Sequence, residues 1–139
     1  MNLNIRSLVK SITPSKPFKC VIIDDDVTVR TIISAKLTMS DQYEVHMAAD
    51  GDEGLDLVHK VSPNFVLLDW MMPNKSGLEV LKEIRAHWSL SHIPVFMLTA
   101  RGQMSDMEEA LAAGATGYFT KPIKLDELCK RVRLALDKT

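Results

Sequence analysis

At 139 residues, with 17 basic and 18 acidic side chains and a net charge of −1, the chain is expected to form one domain without a broad field for nucleic acid or anionic membranes. Cys20 and Cys129 lie far apart within apolar patterns, and His46, His59, His87 and His92 show no paired metal-ligand spacing, so neither a disulfide framework nor a zinc site is expected. No apolar run reaches transmembrane length and the N-terminus has no signal-peptide core, which makes a soluble, cytoplasmic protein the expectation.

Residues 1–17 differ from the rest. Ile5, Leu8, Val9 and Ile12 fall at helical spacing, and Thr13-Pro14-Ser15-Lys16-Pro17 then breaks any helix. A helix this short is marginal alone in water, so these residues are expected to be an N-terminal extension with a linker, a short helix or a disordered tail, the alternative being a partner- or self-association helix. The main domain is expected over 18–139.

From Phe18 the pattern alternates between strand and helix five times. The run Cys20-Val-Ile-Ile meets Asp24-Asp25-Asp26, and Val29, Ile32, Ile33 and Leu37 then form an apolar stripe. Tyr43 to Met47 reads as a second strand, followed by Asp50 as the cap of a helix carrying Leu55, Val58 and Val61. Phe65-Val-Leu-Leu ends in Asp69, and Leu78, Leu81, Ile84 and Trp88 follow at helical spacing. Val95-Phe-Met-Leu ends in Thr99, then Met104, Met107 and Leu111 lead to Gly114 at a helix C-terminus. Tyr118-Phe-Thr ends in Lys121, and Leu125, Leu128, Val132 and Leu136 mark the last helix. The stripes are expected to face the core. Short connections between such units imply right-handed crossovers and a parallel α/β sheet covered on both faces. Periodicity does not give the strand order.

In a parallel sheet the carboxyl ends share one edge, where open α/β folds place their ligands. Asp24, Asp25, Asp69, Thr99 and Lys121 should therefore meet there. Crowded carboxylates repel one another, and a hard divalent cation resolves the conflict; Mg²⁺ suits few carboxylates, several waters and a phosphate oxygen. With a lysine and a hydroxyl added, the peripheral oxygens of a phosphoryl group would be stabilised and Asp69 could attack as a nucleophile. Asp26 is either a further acid of the site or the cap of the first helix.

Together the segments Val21-Ile-Ile-Asp-Asp-Asp, Asp69-Trp-Met-Met-Pro-Asn-Lys-Ser-Gly77, Met97-Leu-Thr-Ala100 and Gly117-Tyr-Phe-Thr-Lys-Pro122 resemble a response-regulator receiver domain of two-component signalling. The resemblance covers about residues 18–137. It implies a flavodoxin-like doubly wound sheet of five parallel strands in the order 2-1-3-4-5, the order of the chemotaxis receiver, with five helices. It also implies Asp69 as phosphoacceptor, Asp24 and Asp25 as the acidic pair holding Mg²⁺ with the backbone carbonyl of Met71, and Thr99 and Lys121 as phosphoryl contacts. Lys121-Pro122 matches a peptide bond that is normally cis in the family.

Further implications concern switching and partners. Tyr118 matches the rotating aromatic that follows Thr99 inward, unless it is a static half-buried tyrosine. Met71 and Arg101 are expected to flank the path of attacking water and slow hydrolysis. The donor would be a sensor histidine kinase or a histidine phosphotransfer protein, and the fourth helix, fifth strand and fifth helix would present the change to a downstream protein. A phosphorylation-linked dimer is compatible with this reading, although Ala115-Thr116-Gly117 lacks the acids of the usual dimer contact in transcription-factor receivers. Direct nucleic-acid binding, membrane association and turnover of an external substrate are not expected. No output domain follows Thr139, so the expectation is a receiver that stands alone or one excised from something larger.

Three other readings stay open on residues alone. Asp24-Asp25-Asp26-Val27-Thr28 fits the Asp-x-Asp-x-Thr signature of haloacid-dehalogenase-like phosphatases, whose nucleophile sits on the first strand; the chain lacks their later acidic pair and room for a cap. A module of the same fold that works without phosphorylation would tend to lose one of the five polar residues. A flavin-binding domain would need a Ser, Thr and Gly-rich loop where this chain is acidic.

Overall fold

A computed structural model describes residues 17–100 and 104–137. The expected N-terminal extension falls almost wholly outside them, as does Arg101. The order of elements is β1 (Lys19–Ile23), α1 (Val27–Asp41), β2 (Glu44–Ala48), α2 (Gly51–Val61), β3 (Phe65–Asp69), α3 (Gly77–Ala86), β4 (Val95–Thr99), α4 (Met104–Ala112), β5 (Gly117–Thr120) and α5 (Leu125–Asp137). All neighbouring strands are parallel, in the order β2-β1-β3-β4-β5. This is the flavodoxin-like doubly wound sheet that the sequence resemblance implies.

The three inner strands explain the continuous apolar runs. β3 and β4 are buried at every residue and β1 from Cys20 onward, because helices cover both faces of the sheet. One core contains Ile33 and Leu37 of α1 with Leu128 and Val132 of α5, against Cys20, Phe65, Phe96 and Phe119. The other contains Val58 of α2, Val80, Leu81 and Ile84 of α3 and Ala110 of α4, against Val21, Val66 and Met97.

Local chemistry starts and stops the helices. The carboxylate of Asp26 accepts from the backbone N–H groups of Thr28 and Val29, so this residue caps α1. Asp50 caps α2 through the N–H of Glu53, and Ser76 caps α3 through that of Glu79. Gln42 (φ 59°) and Ser62 (φ 50°) end α1 and α2 in left-handed conformations, and Gly114 (φ +101°) follows α4.

Four stripe residues depart from expectation. Ile32 is half exposed, since it sits on the flank of α1 beside a groove lined by Pro122 and Ile123. Met104 and Leu111 are exposed because α4 meets the sheet mainly through Ala110, a small contact that leaves its larger apolar residues outside. Trp88 lies beyond the end of α3 and is 86% exposed. Cys20 and Cys129 are buried and unpaired, as their patterns imply. Among the described residues no helix is long and apolar enough to cross a membrane.

Candidate functional site

Backbone hydrogen bonds fix the strand ends before any side chain is considered. The N–H of Asp24 donates to the carbonyl of Ala48 at 3.1 Å, that of Trp70 to Leu98 at 2.9 Å, and that of Lys121 to Thr99 at 2.7 Å. Each residue at the top of one strand is thus tied to the top of its neighbour. This converts positions 24, 69, 99 and 121 into points on one edge.

There Asp24, Asp25 and Asp69 each present a carboxylate oxygen within 4.8 Å of the others. Asp24 is fully buried, Asp69 nearly so, and Asp25 faces solvent. The Nζ of Lys121 stands 3.0 Å from Asp24 Oδ2 and 3.2 Å from Asp69 Oδ1, bridging the first and third strands from the fifth. Asp24 Oδ1 accepts the N–H of Asp26 at 2.9 Å, whereas Oδ2 has its ion pair with Lys121 but, among the described residues, no partner in hydrogen-bond geometry. Thr99, 2% exposed, ends β4, and Lys121 joins Pro122 through a cis peptide bond.

Three carboxylates around one ammonium leave an electrostatic excess of negative charge. Burial, and then the charge of Asp24, push the carboxyl of Asp69 up to about 7 against the opposing pull of Lys121. Burial works against the charge on Lys121, but its contacts with Asp24 and Asp69 outweigh that and raise its pKa. Three carboxylates within 4.8 Å around a single ammonium, with Asp69 pushed toward its neutral form, fit a site for a hard divalent cation with oxygen ligands. The acidic cluster is compatible with Mg²⁺.

The loop after Asp69 is closed tightly. The N–H of Gly77 donates to Trp70 at 2.9 Å, and Asn74 adopts φ 71°. This places Met71 next to the acids with its side chain 55% exposed. Tyr118 is half-buried, opposite Met97 in the β4–β5 register, and packs against the core beneath α2, α3 and α4.

Two arginines belong to this region that sequence reasoning did not single out. Arg30 donates to the carbonyl of Asp24 at 2.6 Å, bracing the acidic loop from the first turn of α1. Arg131 donates to the carbonyl of Tyr118 at 2.8 Å and lies over the Phe119 ring at 4.4 Å, so α5 holds β5 at the candidate switch. Both look like ordinary helix-surface charges in sequence.

The sequence pattern described as the response regulator receiver domain matches residues 20–133. Among curated relatives, a response regulator MprA of Mycolicibacterium vanbaalenii is 39% identical over 123 residues, 88% of this chain and 52% of that protein. The DNA-binding dual master transcriptional regulator RpaA of Synechocystis is 37% identical over 121 residues, 87% of this chain and 50% of its own length. The chain thus spans about half the length of these relatives. Among solved structures, the chemotaxis protein CheY4 of Vibrio cholerae superposes with a TM-score of 0.81 at 31% identity, covering 86% of this chain and 99% of that one. The receiver domain of Francisella response regulator 1452 gives 0.81 at 30% identity, with 87% and 98% covered. The chain belongs to the response regulator receiver domain family and so to two-component signalling.

Proposed function

We propose that the domain accepts a phosphoryl group on Asp69 from a phosphohistidine. The observation that carries this reading is the placement of Lys121 between Asp24 and Asp69, with all three acids converging within 4.8 Å. Asp69 Oδ attacks phosphorus, the N–P bond of the phosphoramidate breaks, and the leaving imidazole takes a proton from solvent. Asp24, Asp25, Asp69 and the Met71 carbonyl would hold Mg²⁺, which would neutralise charge on the phosphoryl oxygens and lower the proton affinity of Asp69. Lys121 supplies a fixed positive charge to the same oxygens, and Thr99 a hydroxyl donor. Thr99 and Tyr118 form the proposed switch, read through α4, β5 and α5.

The donor in this reading is a sensor histidine kinase or a histidine phosphotransfer protein, and the recipient of the signal is a downstream protein. The reading assigns no external substrate, nucleic acid or membrane to the domain; it places the domain in the cytoplasm and admits dimerisation on phosphorylation. The relative named as a DNA-binding regulator is matched over only 50% of its length, so that property is not carried over.

Incubation with a small phosphoramidate or acyl-phosphate donor, read by intact mass, tests the assignment. A single Mg²⁺-dependent adduct absent from Asp69→Asn is expected. No adduct on folded protein would favour a phosphorylation-independent module. An adduct that survives in Asp69→Asn but disappears in Asp24→Asn would move the nucleophile to the first strand.

A further inference from the structure

Apart from the acidic edge, two imidazoles and several carboxylates line a cavity between α2 and α3. The cavity, of about 660 Å³, is lined by Asp52, Asp56, His59, Lys75, Glu83 and His87, among others. The rings of His59 and His87 meet edge to face with their centres 4.7 Å apart, although 28 residues separate them in sequence. Asp56 precedes His59 by three positions on α2, so the two share a helical face, whereas His87 is the extended residue that ends α3.

The charges divide unevenly along the groove. Lys75 sits at one end, 3.0 Å from Asp52 and 2.8 Å from Glu83. Asp56 lies away from that pairing, on the same helix as His59. At the other end His87 Nδ1 meets Ser89 Oγ at 2.8 Å and accepts the Ser89 N–H at 3.3 Å. That contact orients the ring and, among the described residues, leaves Nε2 without a hydrogen-bonded partner. Because Nδ1 accepts the Ser89 N–H, the ring proton sits on Nε2; a metal there would move that proton to Nδ1, which would then donate to Ser89 Oγ, the usual support for a ligating imidazole.

We propose that His59 and His87 bind a borderline divalent transition-metal ion of the Zn²⁺, Ni²⁺ or Cu²⁺ class across α2 and α3. Imidazole nitrogen selects these ions over Mg²⁺, which favours the all-oxygen edge of the sheet. Metal–nitrogen bonds of about 2.0–2.1 Å put two imidazoles on one ion at ring-centre separations of roughly 4.5–5.5 Å, a range that includes the observed spacing. Water would fill the remaining positions. The ion would fasten α2 to α3 at the end of the domain remote from Asp69.

Trp88 provides a local reporter. Its ring stacks on His87 with centres 6.2 Å apart and is 86% exposed, whereas Trp70 is buried in the core. The test titrates Ni²⁺ and Cu²⁺ into the full chain in excess Mg²⁺, reading tryptophan fluorescence and calorimetric stoichiometry. One ion per chain is expected, with quenching that disappears in Trp88→Phe while calorimetric binding remains. His59→Gln and His87→Gln should each raise Kd at least about tenfold. Thermal unfolding of both variants without metal establishes that they fold. Binding unchanged in both folded variants would overturn the proposal, as would binding lost instead in Asp69→Asn or found only at half an ion per chain.

Discussion

A β-carbon on Gly77 would collide with the carbonyl oxygen of Asp69, so the first residue of α3 and the last of β3 are packed backbone against backbone. Both sides of that contact are main chain and neither can rotate away. Gly77→Ala should therefore destabilise the domain by about 1–3 kcal/mol and displace the loop carrying Met71. Urea unfolding gives the first value. The adduct yield on Asp69 should fall by a larger factor than in Gly54→Ala, where the close neighbour is the Ile23 side chain rather than main chain.

The raised carboxyl of Asp69 has a definite thermodynamic sign. Its folded-state pKa of about 7 lies above the ordinary 3.8, so between those values the folded chain holds a proton that the unfolded chain has released. The contribution to stability is full below about pH 4 and is lost as pH rises through 7. Without metal, wild type should lose stability relative to Asp69→Asn over that interval. Mg²⁺ should raise the unfolding temperature more at pH 8 than at pH 5. Equal Mg²⁺ stabilisation at both values would contradict an acidic edge relieved by the cation.

Lys121 pairs with Asp24 and Asp69, so under the proposed function it would compete with a cation for the same oxygens and assist an incoming phosphoryl group. Lys121→Met should leave Mg²⁺ affinity equal or tighter, because one positive neighbour of Asp24 and Asp69 is gone. Adduct formation from a small donor should slow by about 10²-fold, the scale of losing one fixed donor to a developing charge. Weakened Mg²⁺ binding with undiminished phosphorylation would reverse both roles.

Met71 stands exposed beside the acids, where a polar side chain would orient water. Met71→Asn should speed loss of the aspartyl phosphate by about tenfold, equivalent to ~1.4 kcal/mol in the barrier. Decay of radiolabelled protein after removal of the donor measures it. An unchanged half-life would remove Met71 from control of the signal's duration.

Away from the acidic edge, Arg85 donates to three carbonyls: Gly114 at 2.8 Å, Ile93 at 2.7 Å and Ser91 at 3.2 Å. It clamps the end of α3 to the α3–β4 connection and to the turn after α4. Arg85→Met should cost about 2–3 kcal/mol and increase amide exchange at Gly114 and Ala115 before other segments. Uniform exchange across the domain would instead indicate a global effect.

The sheet and its acidic edge were legible because buried parallel strands leave uninterrupted apolar runs, and each run stops at the residue placed on the edge. Cys20 to Asp24 and Phe65 to Asp69 show this directly. Helix faces were less legible. Periodicity locates a stripe at Met104 and Leu111, but it does not reveal that α4 meets the sheet mainly through Ala110. Trp88 continued the spacing of Ile84 after the helix itself had ended. The meeting of His59 with His87 depends on how α2 packs beside α3, which spacing along a chain does not encode. Arg30, Arg85 and Arg131 were similarly hidden, since their partners are carbonyl groups that no sequence pattern marks.

Among the described residues the two apolar cores share no side chain, because alternate residues of each strand point to opposite faces. The sheet is thus a wall between two separately packed compartments. Leu37→Ala and Ile84→Ala, one on each side, should add in free energy to within about 0.5 kcal/mol, whereas Leu37→Ala and Val132→Ala, both on one side, should not. Whatever passes between the compartments must go through the wall itself. Substitutions in β4 and β5 should therefore be felt on both sides, while those in the helices stay local.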